Sequence, residues 1–200
     1  RFGNGGQTCI AAKRFILTPG IADAFMSRFL EATGRLAVGD PNLDATTLAP
    51  MVRPDAREQL HAQVAASVAA GAELLIGGEK GPGACDYPAT ILDRVAPGMV
   101  AYSEELFGPV ASVIRAKDDT DAIRIANDTA FGLGASIWTR DKAKGEALAR
   151  KIQAGAVFVN ALVRSDVRLP FGGTKTSGFG RELAEHGIHE FMNIKTVYVD

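Results

Sequence analysis

Cys9 lies in the run Gly5-Gly6-Gln7-Thr8-Cys9-Ile10-Ala11-Ala12, where a glycine-rich loop meets small, helix-compatible residues. A cysteine at a helix N-terminus feels the positive end of the dipole, which favours the thiolate, the nucleophilic form. Unpaired backbone N–H groups in such a turn can receive a developing oxyanion. The stretch predicts a nucleophile for covalent catalysis, and a buried small cysteine in a turn stays open beside it.

A second stretch is Glu104-Glu105-Leu106-Phe107-Gly108-Pro109-Val110. In extended backbone Glu105 and Phe107 point the same way. The carboxylate can accept hydrogen bonds from ribose hydroxyls while the aromatic packs on a ring. Taken alone, a solvated acidic turn followed by a core Phe is the plainer reading.

The third stretch runs from Pro170-Phe171-Gly172-Gly173 to Gly178-Phe179-Gly180-Arg181-Glu182. Glycines at this density mean special backbone angles or close approach of another chain or a ligand. The phosphate-loop pattern is missing, because no Gly-Lys-Ser/Thr stands four residues after a glycine. The dinucleotide fingerprint also fails, since Gly178-x-Gly180 is followed by Leu183 and Gly132-x-Gly134 by Ile137. His186, His189, Glu182 and Glu185 could share a helical face, but Gly187 weakens that helix, and no metal is expected.

Strands and helices must position these residues. Lys13 to Leu17 reads as a strand, and Thr18-Pro19 as the N-cap and first residue of a helix. A second helix runs from about Pro54 to Ala70, with Gly71 past its end. Strands are expected at Glu73–Ile76, Thr90–Val95, Val110–Ala116, Ala135–Trp138 and Ala156–Val159. Helices are expected from Asp119 or Thr120, over Asp141–Gln153 and over Arg181–Glu190. Trp138 and Phe158 read as core. A final strand, Ile194–Val199, has nothing in sequence to close on. Such alternation implies an α/β fold with a largely parallel sheet.

Composition narrows the function classes. The 200 residues carry 22 basic and 23 acidic side chains, which argues against a binder driven by phosphate contacts. No uninterrupted apolar run is long enough to span a membrane. Two cysteines, Cys9 and Cys85, are too few for a disulfide framework, so a reducing, cytoplasmic setting is expected. Arg1-Phe2-Gly3-Asn4 reads like the middle of a loop, which suggests a piece of a longer protein.

Taken in order, the three stretches resemble the C-terminal part of the NAD(P)-dependent aldehyde dehydrogenases. Gly6-Gln7-Thr8-Cys9 is similar to the nucleophile motif, and Glu104 to Pro109 to the cofactor-ribose motif. Asn160, Pro170-Phe171-Gly172-Gly173 and Lys175-x-Ser177-Gly178-x-Gly180-Arg181-Glu182 are similar to the C-terminal signature. Arg164-Ser165-Asp166-Val167-Arg168-Leu169-Pro170-Phe171 is similar to the succinate-semialdehyde dehydrogenases within that family.

The resemblance implies oxidation of an aldehyde, with succinate semialdehyde as the expected substrate, and NAD or NADP as cofactor. It implies Cys9 as nucleophile with its N–H as half of an oxyanion hole. Glu105 is the implied ribose ligand, and Phe107 helps position the nicotinamide. Ser165 is implied at the substrate's distal carboxylate, where a hydroxyl can donate, and Phe171 in the wall of the aldehyde tunnel. The implied fold is the family's catalytic α/β layer over residues 1–180, followed by a C-terminal helix and oligomerisation strand over residues 181–200. The nucleotide-binding domain, the general base and the second oxyanion donor would precede Cys9. Ile194–Val199 would add to a neighbouring subunit's sheet in a homodimer or homotetramer, with neither nucleic acid nor membrane as partner. Ala11 stands where some relatives carry a second cysteine, so no local disulfide switch is expected. Three other readings stay open: a generic aldehyde dehydrogenase of other substrate range, a thiol hydrolase with a histidine base, and a catalytically incomplete piece that only assembles.

Overall fold

The computed structural model describes residues Arg1 to Asp200. The chain divides into two compact units, Arg1–Ala126 and Asn127–Asp200.

The first unit is built around β4 (Val110–Arg115), whose residues are buried from Val110 through Ile114. A run apolar on both faces is what a central parallel strand requires. β1 (Arg14–Leu17) and β3 (Thr90–Asp93) flank β4 in parallel, and β2 (Glu73–Ile76) pairs antiparallel with β3, giving the order β1-β4-β3-β2. The sheet is therefore mixed at one edge.

Alternation along the strands feeds two cores. Ile91, Ala111 and Val113 face α1 (Pro19–Gly34), against Ala22 and Met26. Leu92, Val110 and Ile114 face the other way, toward Leu60 and Val64 of α2 (Pro54–Ala69) and Ala101 and Tyr102 of the short α3 (Val100–Ser103). Burying an aliphatic side chain such as Leu60 or Ile91 contributes about 1.5–3 kcal/mol against the entropy of ordering it.

Pro19 starts α1 with its φ already helical, although Thr18 makes no side-chain capping bond. Phe15, Phe25 and Phe29 stack with ring centroids 5.0 to 6.1 Å apart, and Phe2 joins Phe29 at 6.0 Å. At the end of α2, Gly71 takes φ +107°, which a side chain resists. α4 (Asp119–Asn127) closes the unit, with Ile125 buried.

In the second unit β6 (Gly134–Ile137) and β7 (Ala156–Val159) are parallel and joined through α5 (Lys142–Ala149). β5 (Phe131–Gly132) and β8 (Thr174–Lys175) form a short antiparallel pair. Asp141 caps α5 by accepting the Lys144 N–H at 2.9 Å. The helix stops short of the expected Gln153. Asn127 takes over there, accepting from the Gln153 N–H and donating to the Lys151 carbonyl, both at 2.8 Å.

Two further expectations are corrected, at the last helix and at Trp138. The last helix, α6 (Ala184–His189), starts later than Arg181, because Glu182 exchanges two 2.8 Å backbone bonds with Phe171 and stays extended. Ile194–Val199 forms no strand within the chain; Ile194, Val197, Tyr198 and Val199 are exposed, and a strand without a partner cannot close its ladder. Trp138 is 64% exposed rather than core; it lies just past the end of β6. No helix is long and apolar enough to cross a membrane.

Candidate active site

Cys9 is exposed and sits in a turn closed by the Ala11 N–H donating to the Thr8 carbonyl at 3.2 Å. The helix expected after it is absent. β1 begins at Arg14, and the Lys13 carbonyl already accepts from Ser112 of β4 at 3.0 Å. Ladder pairing claims the chain before a helical nucleus can form, and such a nucleus is costly in so few residues. The Cys9 N–H makes no hydrogen bond within the chain.

The loop leading to Cys9 is held from several sides. Asn4, Gly5 and Gly6 take left-handed φ values of 52°, 60° and 71°. A Cβ on Gly6 would run into the Gly108 carbonyl, so the two segments touch through bare backbone. The Gln7 side-chain oxygen accepts the Val52 N–H at 2.9 Å. The Arg1 guanidinium donates to the carbonyls of Gly6 and Leu106 at 2.8 and 3.0 Å, to Ala11 at 3.1 Å, and to Gly108. Burial lowers its pKa to about 10 while Glu105 opposes the fall, so it remains a cation at neutral pH.

The second stretch follows α3 directly. Leu106 is buried, while Glu105 and Phe107 both reach the surface, as extended alternation predicts. Gln63 of α2 donates to a Glu104 carboxylate oxygen at 2.9 Å and to the Glu105 carbonyl at 3.4 Å. Ser67, one turn along, donates to the Gln63 carbonyl at 2.7 Å and accepts from Ala101 of α3 at 2.9 Å. Glu104, although exposed, is thus latched to the helix, and Glu105 is half-buried beside it.

Lys13 connects the two stretches, and sequence reasoning did not single it out. Its ammonium is 2.9 Å from Glu105 Oε1 and 5.6 Å from the centre of the Phe107 ring. It also donates to the carbonyls of Thr8, Cys9 and Ala11 at 3.4, 3.3 and 3.2 Å. Burial lowers its pKa, with Glu105 pulling the other way. The available signal was a cation four residues after Cys9. The structure therefore gathers Cys9, Glu105 and Phe107 around one cation. The carboxylate, engaged by Lys13 through one oxygen, and the exposed aromatic face suit a ribose diol and a flat heteroaromatic ring.

Ser165 and Phe171 belong to the second unit. There β7, Arg164, Asp166, Leu169 and Phe171 line a cavity of about 420 Å³. Phe171 is in its wall, pinned by the double bridge to Glu182. Ser165 is exposed and does not line it. Arg164 does, and the sequence reading placed it in a motif without giving it a role. Arg168 donates to both Asp166 oxygens at 2.9 and 2.7 Å, which holds that carboxyl well below the usual range and leaves Arg164 without an ion pair of its own.

The remaining signature residues bond within the second unit. Asn160, at φ +56°, accepts the Thr139 N–H and donates to the Thr139 carbonyl, both at 2.8 Å. Lys175 donates to the carbonyls of Asn127 and Thr129, and Ser177 accepts from Gly132 at 3.0 Å. The glycine density serves close approach of the chain to itself: a Cβ on Gly155 would meet the Gly172 carbonyl. In α6, His189 lies 3.9 Å from Glu185, and no three metal-ligating side chains gather.

A family model described as the aldehyde dehydrogenase family matches residues 1–197. A succinate semialdehyde dehydrogenase [NAD(P)+] of Escherichia coli (strain K12) is 50% identical over the whole chain, and a succinate-semialdehyde dehydrogenase [NADP(+)] of Mycobacterium ulcerans is 49% identical. The chain spans 44% of the length of each. Among solved structures, succinic semialdehyde dehydrogenase from Streptococcus pyogenes with NADP+ superposes with TM-score 0.94 at 35% identity, covering 100% of this chain and 44% of that one. An NAD-dependent aldehyde dehydrogenase from Sinorhizobium meliloti gives 0.94 at 38% identity, covering 99% and 40%.

Proposed function

The chain belongs to the aldehyde dehydrogenase family, and from that premise we propose that it is the nucleophile-bearing, C-terminal portion of an enzyme that oxidises succinate semialdehyde to succinate with NAD or NADP. The observation that carries the reading is the convergence of Cys9, Glu105 and Phe107 around Lys13. Residues 1–180 would supply the catalytic layer, and residues 181–200 a helix and an assembly segment.

The Cys9 thiolate adds to the aldehyde carbon, forming a C–S bond and an oxyanion. The Cys9 N–H donates to that oxyanion, and a second donor comes from outside the chain. Bound NAD(P)+ would supply the hydride acceptor as the C–O double bond reforms. Glu105 would hold its ribose hydroxyls, and Phe107 would pack against its ring. Water then cleaves the Cys9 thioester, releasing the carboxylate and restoring the thiol, with a general base again supplied from outside the chain. In sum, one aldehyde, one water and one NAD(P)+ give one carboxylate, one NAD(P)H and two protons.

On the substrate side, Phe171 lines the apolar wall, and Ser165, whose hydroxyl has no partner within the chain, donates to the distal carboxylate. The exposed backbone and apolar side chains of Ile194–Val199 support an added strand on a second copy, giving a dimer or tetramer.

The test compares succinate semialdehyde with an uncharged aldehyde of similar length in the full-length protein. Cofactor reduction is expected to vanish in Cys9→Ala, and the kcat/KM preference for the semialdehyde to fall about tenfold in Ser165→Ala, the worth of one hydrogen bond to a charged group. Equal handling of both aldehydes by the unmodified enzyme would remove the substrate assignment, and activity retained in Cys9→Ala would remove the mechanism.

A further inference from the structure

We infer that Lys13 is a positioning residue that sets the Glu105 carboxylate for the cofactor ribose by tying the cofactor segment to the Cys9 turn. The inference rests on the functional reading above. Lys13 is only 19% exposed, and its ammonium makes four polar contacts: one to Glu105 Oε1 at 2.9 Å and three to carbonyls of the Cys9 turn. An ammonium has three protons, so the turn carbonyls share donors and the carboxylate takes the shortest contact.

This arrangement divides the Glu105 carboxylate. One oxygen is held by Lys13, and the other is left for a diol. A glutamate side chain has three rotatable bonds, and ordering it costs conformational entropy when a ligand binds. Lys13 imposes that order beforehand. Phe107, beneath the same ammonium at 5.6 Å, is restrained by the cation over its ring face. The neighbouring Glu104 cannot substitute, because Gln63 holds it at 2.9 Å.

A purely structural lysine would give a different result from one acting through Glu105, and a double-mutant cycle separates them. The full-length enzyme is titrated with NADH or NADPH, whichever it uses, and cofactor fluorescence gives Kd. Lys13→Met is expected to weaken binding about tenfold, as the loss of one charge-assisted contact on a partly exposed carboxylate predicts. Glu105→Gln is expected to weaken it as much or more, and the double variant no further than Glu105→Gln alone. Lys13→Arg should recover most of the affinity. Lys13→Gln keeps donors for the turn carbonyls but loses the charge, and it repeats the cycle if Lys13→Met folds poorly. Additive effects, or an unchanged Kd in both Lys13→Met and Lys13→Gln, would overturn the inference while leaving aldehyde oxidation intact. A wild-type enzyme that neither binds the cofactor nor oxidises aldehydes would overturn the functional reading itself, and this inference with it.

Discussion

Glu104 and Glu105 are chemically identical neighbours, and the fold uses them in opposite ways. Extended backbone after α3 turns Glu104 toward Gln63, a 9% exposed residue of α2, and Glu105 toward Lys13. The same logic makes Gly6 irreplaceable. At φ +71°, and with its Cα against the Gly108 carbonyl, it lets the loop before Cys9 touch the segment after Glu105. Gly6→Ala adds both left-handed strain and a steric conflict with backbone. We expect it to destabilise the protein by about 2 kcal/mol or more, read as a lower urea midpoint. An unfolding free energy within about 0.5 kcal/mol of wild type, the range of ordinary surface changes, would mean the two segments are not packed against each other.

At the scale of elements, the ends of β3 and β4 are joined by charge. Arg115 donates to both oxygens of Asp93, at 3.1 and 2.6 Å, and Asp93 also accepts the Arg94 N–H at 2.7 Å. Burial alone would raise the Asp93 pKa, but the hydrogen bonds from Arg115 and Arg94 outweigh it and leave the carboxyl below its ordinary value. A depressed carboxyl stabilises the fold above its unfolded value of about 3.9, and that contribution is lost as pH falls through the lower folded value. Asp93 is 4% exposed, and Asp93→Asn leaves Arg115, itself 31% exposed, with only the weaker 3.5 Å contact to Asp23, so the change is expected to cost about 2 kcal/mol at pH 7. The difference between variant and wild type should shrink in acid, below about pH 4. Urea midpoints across pH 3 to 7 check it, and a pH-independent difference would rule out the pair as its source.

Across the whole molecule, the last residues are the least satisfied by their own chain. Ile194, Val197, Tyr198 and Val199 expose apolar side chains, and their backbone joins no ladder. Such a segment is stabilised when it adds to a sheet edge. Deleting residues 194–200 from the full-length protein is expected to lower the assembly state, read as a fall in mass by light scattering. An unchanged mass would assign the contact to another surface.

What the sequence determined by itself was local. Periodicity and turn residues placed the start of α1, and α2 and β1 to β4 within a residue or two, and the family resemblance marked Cys9, Glu105, Phe107, Ser165 and Phe171 as candidates. Tertiary structure decided whatever depended on competition between partners. The turn at Cys9 replaced a helix because Lys13 and Arg14 are claimed by β4. α5 ended at Ala149 because Asn127 captured the groups beyond it. Lys13 carried no motif and Arg164 stood in one without an assigned role; the fold alone set the first between Glu105 and the Cys9 turn and the second in the wall of a cavity. Periodicity reports which face a residue is on, whereas a partner about a hundred positions away is fixed only when long-range packing brings it within a few ångströms.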